Sequence, residues 1–118
     1  MALFGASGSG IDFSIMSTEL GDVIATRKLY RLDDPGAAII IKFGKPQRTP
    51  GHDDFFCPTQ IVGIGDERVE STYGIDAVQA LQLAMKWMGA SLVRLNAEVG
   101  NTLRWEGDEN GSYGLPTL

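Results

Sequence analysis

A chain of 118 residues can build one hydrophobic core without staples, and an apolar share of 43% marks a folding sequence, not a disordered one. Fifteen acidic against ten basic side chains, a net charge of −5, argue against nucleic acid, whose phosphates require a positive surface. Cys57 is the lone cysteine, which excludes an internal disulfide, and no apolar run reaches the ~18 residues that span a bilayer.

Residues 1–15 hold no Lys or Arg, so a secretory signal is not expected, and a cytoplasmic location is the default. Within them Gly-Ala-Ser-Gly-Ser-Gly reads as a linker. This stretch is expected to be a flexible extension, with translation starting at Met16, or an arm packing through Phe4, Ile11 and Phe13. Residues 16–118 are then one domain.

Asp22–Arg31 is rich in β-formers, with Ile24, Thr26, Lys28 and Tyr30 on one side and Val23, Ala25, Arg27 and Leu29 on the other. Asp33-Asp34-Pro35-Gly36 has turn chemistry, and Ala37–Phe43 follows as a second strand, giving a hairpin. Gly44–Asp54 carries two prolines, two glycines and four charges, the composition of a loop. Phe55–Ile64 reads as a third strand in which Pro58, unable to donate a ladder bond, needs an edge or a bulge. Gly65-Asp66-Glu67 turns the chain into a short fourth strand, Arg68–Tyr73.

Leu81, Met85, Met88, Leu92, Leu95 and Val99 recur at steps of four and three, which sets them on one stripe of a helix over about 76–98. Asp76 and Gln79 have the spacing of a capping box, and Gly100 a terminator's position. Gly89 interrupts the helix former pattern at a cost of about 1 kcal/mol, and the continuous stripe favours one helix over a break there. Asn101–Glu106 supplies a fifth short strand through Leu103 and Trp105.

Two stretches, Phe56-Cys57-Pro58-Thr59-Gln60-Ile61-Val62-Gly63-Ile64-Gly65-Asp66 and Gly74-Ile75-Asp76-Ala77-Val78-Gln79-Ala80-Leu81-Gln82-Leu83-Ala84, together with Leu103-Arg104-Trp105, resemble a family of small bacterial domains of unknown function. The resemblance covers about residues 20–106. It implies an antiparallel sheet with a helix and brings no activity or catalytic residue with it.

The expected fold is therefore α+β: a four- to five-stranded antiparallel sheet, mostly a meander, with one long helix on one face. The expected core is Ile24, Ile39, Ile41, Phe43, Ile61, Val62, Leu81, Met85, Met88, Leu92 and Trp105. Each well-buried member contributes roughly 1.5–3 kcal/mol.

Candidate chemistry is sparse. His52, Asp53, Asp54 and Cys57 form the densest set of metal-ligand types, but one His and one Cys fall short of zinc's usual paired ligands. A Cys57–His52 nucleophile pair has nothing in the sequence to aim it. Gly63–Glu67 lacks a Walker lysine and leads into a strand, so it reads as a hairpin turn, not a phosphate loop. No cofactor, metal or catalytic set is expected.

Three groups remain. Gln60, Gln79 and Gln82 would make a buried polar network or a ligand pocket if the helix lies over the third strand. Arg27, Arg31, Lys42, Lys45 and Arg48 would form a basic patch if strand pairing gathers them. Asp53, Asp54, Asp66, Glu67 and Glu70 would form an acidic surface for a basic protein partner if they meet at one end of the sheet. The preferred reading is a non-catalytic interaction module, in its most concrete form an immunity-type antidote that caps a basic toxin. A small-ligand domain using the glutamines, and an enzyme using Cys57 or His52, are the alternatives. Homodimerisation through a sheet edge or the N-terminal arm fits any of these.

Overall fold

The computed structural model describes residues 19–107 and 112–117; the N-terminal extension or arm expected over 1–15 lies outside the described residues. The elements are β1 (Val23–Arg31), β2 (Asp34–Gly44), β3 (Gln47–Arg48), β4 (Phe55–Val62), β5 (Glu70–Gly74), α1 (Ala77–Glu98) and β6 (Leu103–Arg104). All pairings are antiparallel. β1, β2, β4 and β5 form a meander, with β3 continuing along the same side of β4 that β2 occupies. The helix then carries the chain to the opposite edge, where β6 pairs with β1. The α+β architecture is as expected; among the described residues the sheet has six strands, the two-residue β3 being the addition, and β6 lies outside the meander.

Register decides which face is core. Arg27 lies opposite Ile41, Leu29 opposite Ile39, and Ile41 opposite Ile61, so these residues share the helix-covered face. Ile24 belongs to the other face and is 50% exposed, contrary to the expectation that it is core. Val62 is corrected for the same reason: it pairs with Ile40, whereas its neighbour Ile61 packs on the core. The core consists of Leu29, Ile39, Ile41, Phe43 and Cys57 from the sheet, Ala80, Ala84, Met88 and Leu92 from the helix, and Leu103, Tyr113 and Leu115 from the end of the chain. Leu81, Met85 and Trp105 flank it, partly buried.

The turn between β1 and β2 is Leu32-Asp33, two residues earlier than its composition suggests, so Asp34-Pro35-Gly36 enter the strand. Arg31 explains the shift, because its Nε and Nη2 donate to the two carboxylate oxygens of Asp33 at 2.9 and 2.8 Å. A register irregularity between Leu29 and Arg31 leaves Pro35 outside one-to-one pairing, as a residue without an N–H requires. Pro58 uses a different device. It faces Ser71 of β5 on one side and falls between the β2 and β3 pairings on the other. There Gly44 lies against it: a Cβ on Gly44 would stand 2.6 Å from Pro58 Cγ.

Helix α1 starts where its sequence says. Asp76 Oδ1 accepts from Gln79 N at 2.8 Å, and Gln79 Oε1 accepts from Ile75 N at 2.8 Å, one residue before the usual reciprocal position of a capping box. Gly89 is helical, and the space beside it is taken by the returning chain at Leu115 and Pro116. The helix comes closest to the sheet at β5. A Cβ on Gly74 would lie 2.5 Å from Ala80 N, and Thr72 Oγ1 donates to Ala80 O at 3.1 Å. Small residues at 80 and 84 permit this approach; farther along, Met88, Leu92 and Leu95 fill the interface.

Two outcomes follow. Gly74→Ala places a methyl group against backbone that cannot swing away, and it should destabilise the domain by about 2 kcal/mol in urea unfolding. The Arg31 hydrogen bond lowers the Asp33 carboxyl from 3.8 to about 2. Its stabilisation is therefore complete above the unfolded carboxyl range and disappears as pH falls toward 2. Asp33→Asn should accordingly be less stable than the native chain at pH 6, with the gap closing by pH 2.

Candidate functional site

The β4–β5 hairpin and one flank of α1 enclose a groove of about 810 Å³. That volume lies in the range of natural ligand clefts. Its floor and one wall are Thr59, Gln60 and Ile61 of β4 and Glu70 to Tyr73 of β5. Leu83, Trp87, Ser91, Arg94 and Glu98 of the helix form the other wall. Those helix positions recur every three or four residues, one step around from the buried stripe, so they make a second, solvent-facing line. Trp87 stands on it 54% exposed.

The loop from Gly63 to Val69 closes one end and is held rigidly. Gln60 Nε2 donates to Glu67 O at 2.8 Å, and Glu67 Oε2 accepts from Gly63 N at 2.9 Å. Gly63, at φ +99°, lies directly beneath Ala38 O, where a Cβ has no room. Asp66 Oδ1 accepts from Arg68 N at 3.2 Å, and Arg68 pairs with Glu70 at 3.0 Å and more loosely with Asp66 at 3.8 Å. Arg94 pairs with Glu98 at 3.7 Å. Asp66, Glu67, Glu70 and Glu98 outnumber Arg68 and Arg94 around the groove, leaving it acidic.

Four of the eight amide and acidic candidates named from sequence thus border this one groove: Asp66, Glu67, Glu70 and Gln60. The others lie elsewhere. Asp53 and Asp54 precede β4, whereas Asp66 and Glu67 follow it, and an eight-residue strand separates the two groups by about 23 Å. The five acids therefore do not meet at one end of the sheet. Asp53 is paired with Arg48 at 3.4 Å. Gln79 is occupied by the helix cap and Gln82 is exposed, so the three amides do not converge. The basic residues disperse as well. Arg27 stacks on Trp105, 4.0 Å from the ring centroid, and its Nη1 donates to Tyr113 O at 2.7 Å, while Arg31 and Arg48 each hold an aspartate.

Sequence reasoning missed the helix wall of the groove. Its one legible signal was Trp87, a large aromatic standing off the apolar stripe.

Cys57 is fully buried on the core face of β4, and its Sγ donates to Gly44 O at 3.4 Å. Burial pushes the thiol up to about 11, so it is protonated at neutral pH and unsuited to attack. His52 is exposed on the loop before β4. Among the described residues no three His, Cys, Asp or Glu are placed to hold a metal ion, and no helix is long and apolar enough to cross a membrane. Iodoacetamide at pH 7.5 should leave the native thiol unmodified for hours and label it promptly in urea; rapid labelling of the native protein would contradict this environment.

No curated protein and no solved structure matches the chain. A family model, described as a domain of unknown function (DUF6968), matches residues 25–117, which include every strand from β2 to β6, most of β1 and all of α1. The chain is a member of that family.

Proposed function

We propose that this protein is a non-catalytic binding module that holds a basic protein partner in the groove between α1 and the β4–β5 hairpin. The observation that carries the reading is the coincidence of an exposed tryptophan with an acidic surplus around one preshaped cleft. Tryptophan is the side chain that most often anchors protein interfaces, because it buries a large rigid surface at small entropic cost. Rim carboxylates steer a cationic partner and set its orientation more than they add affinity.

The rigidity of the wall supports the same reading. Gln60, reaching from β4, and Glu67, bonding across the loop to Gly63, hold the 63–69 segment in place, so little ordering remains to oppose association. An immunity-type role, in which the acidic cleft caps a basic toxin, is the specific biological form we favour. Cys57, protonated within the core, gives an enzymatic reading no support. A small ligand is the second reading, carried by the volume of the cleft.

Affinity capture from the native host, using the intact chain and its Trp87→Ala variant side by side, tests the proposal. Loss of the exposed indole should weaken the captured complex by about 2 kcal/mol, roughly thirtyfold in Kd, with little change in melting temperature. Asp66→Lys combined with Glu70→Lys should slow association and remove much of its salt sensitivity. A partner that binds both variants as tightly as the native chain would refute the groove as the site.

A further inference from the structure

The way the groove touches β5 points to the form its occupant takes. Glu70, Ser71, Thr72 and Tyr73 all line the cavity, in unbroken succession. Successive residues of a strand point to opposite faces of the sheet, so a cavity that meets four in a row lies along the strand's edge, where the backbone is. That edge is open: among the described residues β5 pairs with β4 alone. Alternate amides and carbonyls of an edge strand face outward and seek partners.

Resting on the groove reading above, we infer that the partner contributes an extended, lysine- or arginine-bearing segment that adds to the sheet as a strand beside β5, with α1 as the opposite wall. Backbone bonds to β5 supply affinity, and alternate side chains of the added strand point to the helix side and away from it. On the helix side lies Trp87, with the carboxylates of Asp66, Glu67 and Glu70 toward the loop. The five residues of β5 set the length of the added strand at about 17 Å. A second copy of this chain is a poorer occupant, because a protein of net charge −5 meets an acidic cleft with repulsion.

The test uses the full chain, isotope-labelled, and a pool of blocked hexapeptides with lysine at alternate positions and mixed apolar residues between them. Titration should shift the Trp87 indole N–H signal and slow hydrogen exchange of alternate β5 amides by about tenfold or more. The same pool N-methylated at alternate backbone amides should bind at least about tenfold more weakly, and a glutamate pool should not bind. If the lysine pool shifts Trp87 while methylation costs nothing and β5 exchange is unchanged, strand addition is wrong and the groove reading survives. If millimolar lysine pool moves neither Trp87 nor β5, both are overturned.

Discussion

The close approach of α1 to β5 governs the rest of the molecule. At Gly74 the strand has no side chain on the helix side, and the backbone of Ala80 occupies that space. Thr72 ties the same turn of helix to the sheet through the Ala80 carbonyl. Only two residues separate the end of β5 from the start of α1, so the junction fixes both the position and the direction of the helix. Everything downstream inherits that placement: the buried stripe over Ile39, Ile41 and Phe43, the return of the chain past Gly89, and the delivery of β6 to the far edge beside β1.

The groove is a consequence of that geometry. A helix pinned against an edge strand at one end must leave a cleft along its flank wherever the sheet beneath it stops. β5 ends its pairing with β4 at Thr59, and the 63–69 loop closes the cleft beyond that point. The polar residues there do two jobs. Gln60 and Glu67 hold the loop in shape, while the two arginines on the rim are committed to surface ion pairs that contribute little to stability, and the carboxylates in excess of them set the sign of the local field.

Much of this fold was legible before any coordinates. The helix and its cap were explicit in the apolar rhythm and in the Asp76–Gln79 spacing, because both are local. The long strands were legible for the same reason. Face assignment was less secure: Ile24 is as apolar as Leu29, and only the register with β2, a tertiary fact, sends one outward and the other into the core. The Asp34-Pro35-Gly36 signal misled because the Arg31–Asp33 hydrogen bonds stabilise an earlier turn. β3, two residues set among prolines, carried no pattern at all. The groove was half visible. Its acids and Gln60 are visible in the sequence as charged and amide side chains, but their union with Trp87 and Arg94 arises from packing between elements that are distant in sequence.

The seating of the helix at Gly74 organises the whole fold, and nuclear Overhauser contacts in the intact protein measure it most directly. Strong cross-peaks are predicted between the α-protons of Gly74 and the amide of Ala80, together with contacts from Leu92 to Ile39 and Ile41. Helix contacts running instead to Ile40 and Val62 would place α1 on the other face of the sheet and contradict it.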